Sequence, residues 1–472
     1  MPDTGTPAGP ALADGLLHRT RRSLGEVWRE MAQRLAGREE EEALDFAAQM
    51  RACLDGRGGE VSARARSALL AAAYRDLPPA ERIAFLRTLA EFDADPKAVE
   101  GAIAAWSGAT DGVAKAAAKV RLRRVLEAPR VRLLQQFSAI PDGVKLLVDL
   151  REDLLRASEG DPLLRALEAD LKSLLAAWFD VGFLELRRID WNSPAALLEK
   201  LIRYEAVHRI ESWEDLKNRL DSDRRCYAFF HPRMPDEPLI FVEVALTQGL
   251  ASSVQALLDA KAEVMDPAEA DTAIFYSINN CQRGLDGIAF GNFLIKRVVE
   301  VLGREFSKIK RFATLSPVPG FRRWLEERTD AGDATLLSPE ESSALRKAAG
   351  AAPEASGLSA LALILERRSW NTPQARLMEA VLTRLCARWI AQESGRDGKR
   401  AADPVAHFHL SNGARIERVN WRADTSEKGM RESAGLMVNY LYDPAYIETN
   451  HESYAGEGKR ADSSAVRKLL KA

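Results

Sequence analysis

A chain of 472 residues, 46% hydrophobic and 29% charged, is long enough for two domains and too apolar to remain unfolded, which sets aside the disordered and fibrous classes. A net charge of −2 argues against a chain-wide nucleic-acid or anionic-membrane binder, and no run approaches the roughly 20 apolar residues of a membrane span. The four cysteines, Cys53, Cys226, Cys281 and Cys386, form no Cys-x-x-Cys pair, so buried free thiols in a reducing compartment are expected and a zinc framework is not.

The opening Met1 to Pro10 is polar and rich in Gly and Pro, without a signal-type apolar region, so the expected location is the cytoplasm. From about Leu16 to Ala177 apolar residues recur at helical spacing, as in Val27, Trp28, Met31 and Leu35, or Ile83, Leu86 and Leu89. Pro78-Pro79 before Glu81, Pro129 before Val131, Pro141-Asp142-Gly143 before Val144 and Pro162 before Leu163 each predict a turn followed by a new helix. With no fixed-period repeat, residues 1–177 read as an all-α helical bundle rather than a solenoid.

Near Trp178 the composition shifts to aromatic and β-branched residues, and the second domain is taken as 178–472. Ser193-Pro194 predicts a helix to about Tyr204, and Ser212 with Asp215 predicts another. Strands are expected at Cys226 to Phe230, Leu239 to Thr247, Thr272 to Ile278 and Arg311 to Leu315. A helix between the last two should bury Leu294, Ile295, Val298, Val299 and Leu302. Further helices start at Ser338-Pro339 and Thr372-Pro373.

A second strand group is expected from Val405 to Leu410, with Asn412-Gly413 as a hairpin turn leading into a strand from Ala414 to Trp421. Strand alternation would put His407 and His409 on one face and Phe408 on the other. A last strand, Leu436 to Tyr442, would bring Tyr440 and Tyr442 together. The fold class is therefore α+β, an all-α domain followed by an α/β domain.

Three segments could carry chemistry. Gly284, Gly287 and Gly291 lie in a turn between an apolar strand and an amphipathic helix, where backbone N–H groups and the helix start suit a phosphate. The spacing is neither the dinucleotide fingerprint nor a Walker loop, so a tight packing turn stays open beside phosphate binding. Ser316, before Pro317 and Pro319, is held in a stiff setting that suits a reactive hydroxyl or simply closes a strand. His407 and His409 lack a supporting carboxylate or cysteine for a metal site, leaving a core histidine or, for His409, a proton donor. No lipase elbow, zincin helix or P-loop is present.

Thr272 to Ile278, the glycine turn with Phe293 to Val299, Leu315 to Phe321, Phe408-His409-Leu410 with Asn412-Gly413-Ala414, and Asn420-Trp421 with Ala423-Asp424 together resemble the malonyl-CoA decarboxylases, in order, across about Trp178 to Tyr454. The resemblance implies a helical oligomerisation domain, in homotetramers or a dimer of dimers, and a catalytic domain like the Gcn5-type N-acetyltransferases (GNAT-like). It implies loss of CO2 from malonyl-CoA to give acetyl-CoA without a cofactor; charge and hydropathy, as above, leave no nucleic-acid or membrane partner expected. It also implies that Asp286, Gly287, Ile288, Ala289, Phe290, Gly291 and Asn292 contact the CoA ester, that Ser316 and His409 are the catalytic pair, and that Tyr442 lines the pocket. The chain departs from the pattern at Ala289, where some relatives carry glutamate. Arg283, Lys296 and Arg297 are candidates for the 3′-phosphate or solvated charges. An acyltransferase using the same turn and a CoA-sensing scaffold are the rival readings.

Overall fold

The computed structural model describes residues 46–55, 59–288, 294–367 and 371–471. They divide into two compact units. One holds the chain to Phe183 with His231–Pro235 and Gln282–Ala289; the other holds Leu184–Phe230, Asp236–Cys281 and the remainder.

The first unit is built from helices Phe46–Leu54, Gly59–Asp76, Pro79–Ala90, Pro96–Gly108, Gly112–Val125, Pro129–Ser138, Gly143–Ala157 and Pro162–Trp178. The four starts expected near Glu81, Val131, Val144 and Leu163 hold, each helix beginning one or two residues earlier, while the spacing at Val27, Trp28, Met31 and Leu35 lies outside the described residues. Pro79, Pro129 and Pro162 open their helices because proline lacks the N–H that a first turn leaves unbonded anyway. Asp95, Asp111 and Asp161 accept from the first free amides as N-caps. Phe85, Leu89, Leu133, Phe137, Leu147, Leu154 and Leu171 fill the core. Buried Arg130 is matched by Asp170 at 2.7 Å and Asp93 at 3.1 Å, which keeps its charge paired away from water.

The described residues form eight strands, centred on the second unit: β1 Glu185–Ile189, β2 Arg224–His231, β3 Met234–Thr247, β4 Thr272–Asn280, β5 Arg311–Thr314, β6 Ser316–Pro317, β7 Arg415–Asn420 and β8 Met437–Tyr442. They form one mixed sheet in the order β1-β2-β3-β4-β5-β8-β6, with β7 also on β8. β4 and β5 run parallel, joined through the Leu294–Glu305 helix, whose five predicted apolar residues are all buried. Thr272 pairs with Arg311 and Phe275 with Thr314. Beyond Thr314 the chain leaves β4, and Ser316 pairs with Val438 of β8 instead. The expected α+β class holds.

Residues 405–410 correct the expectation. They belong to a helix, Pro404–Ser411, not a strand. Asp403 caps it by accepting from Ala406 N at 2.8 Å, and Pro404 takes the first helical position. Asn412-Gly413 ends this helix rather than turning a hairpin: Gly413 has φ of 83°, a left-handed conformation suited to a helix C-terminus. A six-residue alternation of apolar and polar side chains is too short to separate strand from helix, and Asp-Pro was the stronger signal. Strand Arg415–Asn420 does follow.

Two caps also differ in detail. Asn371, one residue before Thr372, caps Thr372–Ala391 in a reciprocal pair with Gln374. Ser193 accepts from Asp190 N while Pro194 stands at the start of Ala195–Tyr204. Ser212 caps its helix as expected, through Asp215 N at 3.1 Å. All four cysteines are buried free thiols.

Candidate functional site

The glycine turn leaves β4 at Asn280 and enters a short turn of helix, Arg283–Leu285, in the first unit. Gly284 has no room for a side chain: a Cβ would lie 1.8 Å from Val148 O on helix Gly143–Ala157. Buried Arg151 of that helix donates to Gly284 O at 2.7 Å and to Glu168 Oε1 at 2.8 and 3.0 Å. The guanidinium thus ties the turn to the helical unit with its charge compensated. Asp286 and Gly287 are exposed, and Gly287 has φ of 74°, which favours glycine at that position. Ile288 N donates to Leu285 O at 3.0 Å. Ala289, Phe290, Gly291 and Asn292 lie outside the described residues.

In the second unit the structure brings together Ser316, His409 and Tyr442. Ser316 Oγ is 2.9 Å from His409 Nε2, and His409 Nδ1 is 2.8 Å from the Tyr442 hydroxyl. Ser316 stands where β6 begins, His409 lies in the last turn of its helix, and Tyr442 ends β8. Tyr440, two residues before Tyr442 and on the same face as expected, stacks on the imidazole with centroids 4.5 Å apart. All four side chains are buried.

Sequence reasoning missed Thr314. Its Oγ1 accepts from Ser316 Oγ at 2.8 Å and from Tyr440 N at 3.1 Å, so one hydroxyl sets both the serine rotamer and the neighbouring strand. Asn439 Nδ2 donates to Thr314 O at 2.7 Å and holds the same residue from behind. The signal was present: Thr314 and Ser316 are two apart in extended chain and share a face.

Burial alone pushes the His409 imidazole down to about 3, so it is neutral near pH 7, and burial pushes the Tyr442 phenol well up, so that group keeps its proton. When the phenol donates to Nδ1, the imidazole proton sits on Nε2 and points to Ser316, whose own hydrogen goes to Thr314. A neutral histidine places no positive charge beside the serine.

His407 does not share a face with His409, because residues two apart on a helix point about 160° away from each other. His407 Nδ1 is 2.8 Å from the Tyr454 hydroxyl instead. Among the described residues no three His, Cys, Asp or Glu side chains converge as a metal set. A cavity of about 330 Å³ opens where β4 and β6 part, lined by Ala206–His208, Ile278–Asn280, Pro317–Pro319 and residues between Asp424 and Ser433.

Comparison with known proteins gives a consistent result. Residues 182–472 match the family model described as the malonyl-CoA decarboxylase C-terminal domain, and residues 92–179 match that of the N-terminal domain. The chain is 37% identical over 416 residues to a goose (Anser anser anser) protein named malonyl-CoA decarboxylase, mitochondrial, covering 80% of this chain and 81% of that one. Crystal structures of malonyl-CoA decarboxylase from Rhodopseudomonas palustris and Agrobacterium vitis are 43% and 42% identical, with TM-scores of 0.80 and 0.81. Each covers 90% of this chain, and the matches take in 98% and 99% of those chains.

Proposed function

Because this chain belongs to the malonyl-CoA decarboxylase family, we infer that the buried line from Tyr442 through His409 and Ser316 to Thr314 is where its reaction is controlled. The protein is a carbon–carbon lyase converting malonyl-CoA to acetyl-CoA and CO2.

When the carboxylate leaves, the C–C electron pair moves into the neighbouring thioester carbonyl and forms an enolate, so the substrate is its own electron sink. The α-carbon then needs one proton. In our reading the Ser316 hydroxyl orients the substrate and hands over that proton, His409 Nε2–H returns one to Ser316 as Nδ1 takes the phenol proton of Tyr442, and one solvent proton, which the net reaction consumes, then restores the phenol. Positioned proton transfer of this kind contributes about 10²–10⁴-fold, and a donor aimed at the enolate oxygen about 10²–10³-fold. The observation that carries the reading is the 2.9 Å contact of Ser316 Oγ with a neutral, buried imidazole.

Asp286 to Asn292 are assigned to the CoA ester. Support comes from the positive φ at Gly287 and from the clamp that Arg151 places on Gly284. The helical part is assigned to assembly, as a homotetramer or dimer of dimers. The hairpin Pro96–Gly108 and Gly112–Val125 favours this because it exposes Ile103, Trp106, Val113 and Val120, the last two at 82% and 67%. The expected location is the cytoplasm; the goose relative is named mitochondrial, and subcellular fractionation separates the two. Among the described residues no helix is long and apolar enough to cross a membrane.

The direct test mixes pure protein with malonyl-CoA, without amine or cofactor, and follows CO2 and acetyl-CoA. Sustained equimolar release is expected. Acyl transfer only in the presence of an amine would select the acyltransferase reading, which the relatives do not favour.

A further inference from the structure

The helical unit places one of its own cations at the glycine turn. A Cβ on Gly287 would lie 3.4 Å from Lys172 Nζ and 3.8 Å from its Cε, so the glycine backbone and the ammonium of helix Pro162–Trp178 sit side by side. Both residues are exposed. Lys172 has no ion-pair or hydrogen-bond partner among the described residues, and neither does the Gly287 N–H.

Two unsatisfied donors at one exposed point match an anion that accepts several hydrogen bonds at once, as phosphate oxygens do. Of the other cations near the turn, Lys296 is paired with Glu448 at 2.7 Å and Arg297 with Glu300 at 3.0 Å, while Arg283 is exposed one turn earlier. Asp286, the acidic residue of the turn, makes an interaction of its own. A lysine on an exposed helix face ordinarily samples solvent. Here its ammonium lies in contact range of a left-handed glycine whose missing side chain leaves the backbone open beside it.

We propose that Lys172 is a substrate-binding residue whose ammonium, with the Gly287 N–H, grips a phosphate of the coenzyme A thioester. This rests on the reading that the turn receives coenzyme A. The contact exists equally in ground and transition states, so it lowers KM and leaves kcat alone.

The test compares wild type and Lys172→Met, as full chains, on malonyl-CoA and on malonyl-pantetheine, which keeps the reacting thioester and lacks every phosphate. With malonyl-CoA the KM should rise about tenfold at unchanged kcat, the size of one charge-assisted hydrogen bond. With malonyl-pantetheine the two proteins should be alike, and Lys172→Arg should recover most of the loss. Malonyl-dephospho-CoA distinguishes the 3′-phosphate from the diphosphate: loss of the difference there selects the former. No change with malonyl-CoA, or an equal rise with both substrates, overturns the proposal. If Lys172→Met does not fold, Lys172→Gln and Lys172→Arg carry the same comparison. If wild type turns over no malonyl-CoA, the activity reading fails separately, and calorimetry of coenzyme A against pantetheine still decides the role of Lys172.

Discussion

His409 Nε2 lies 2.9 Å from Ser316 Oγ across 93 residues of chain, and neither side chain has an ionised partner. Hydrogen bonds alone therefore set the proton positions in this pair. In a buried setting such a network is sensitive to the loss of any one member.

Ser316→Ala and His409→Ala should each lower kcat for malonyl-CoA at least about 100-fold, within the range for a lost positioned proton donor, with a smaller change in KM. Turnover assays with circular dichroism melts check this. Near-normal turnover by either folded variant would remove the pair from the mechanism.

Thr314→Val keeps the shape and removes the acceptor shared by Ser316 Oγ and Tyr440 N. Kcat should fall about tenfold, and the buried N–H left without a partner should cost about 1–3 kcal/mol of stability. Thr314→Ser should restore both. If the serine variant behaves like the valine variant, the threonine acts by packing instead.

Acid should weaken the fold through its buried histidines. Burial, the largest influence, lowers His208 to about 4 and His409 to about 3, against about 6.5 in the unfolded chain. Between about pH 6.5 and about pH 4 the unfolded chain thus binds more protons than the folded one. Stability present above 6.5 is lost as pH falls, by up to about 1.4 kcal/mol per unit for each residue. His208→Gln should flatten this dependence in thermal melts followed from about pH 7 to about pH 4.5. Parallel profiles for variant and wild type would contradict the assignment.

Gly413→Ala should damage both stability and turnover. The residue has φ of 83°, and a Cβ there would meet Ile447 O at 2.1 Å, so strain of about 1–3 kcal/mol is expected. The adjoining Ala414 N donates to His409 O at 3.1 Å, so the shift should reach the imidazole and lower kcat. An unchanged melting temperature would refute this.

Charging the exposed hairpin tests the proposed assembly, which it should disperse. Val113→Glu with Val120→Glu adds two charges to an exposed apolar face at no cost to a core. Light scattering after gel filtration should show a smaller species of native helicity; an unchanged mass would locate the interface elsewhere.

Much of the fold was legible because its signals are local. Asp and Pro at helix starts, runs of β-branched residues and the five-residue apolar face of Leu294–Glu305 each act within a few residues, and each element formed where expected. The miss at 404–411 was local too: a short alternation was followed while Asp403-Pro404 and the left-handed Gly413 pointed to a helix. That error also misjudged His407, which faces Tyr454, yet left His409 as the candidate because its chemistry did not depend on the element carrying it.

By itself the sequence determined which residue types were available and where backbone conformation had to be special: a stiff serine before two prolines, glycines free to take positive φ, and a family pattern spanning the second domain. Only the tertiary structure decided that Thr314 would hold Ser316, that Arg151 would clamp Gly284, that burial would keep His409 neutral, and that Lys172 would stand beside Gly287. The division follows from range. Caps and periodicity are properties of neighbours along the chain, whereas desolvation and hydrogen-bond partnership depend on segments tens to hundreds of residues apart that meet only after folding.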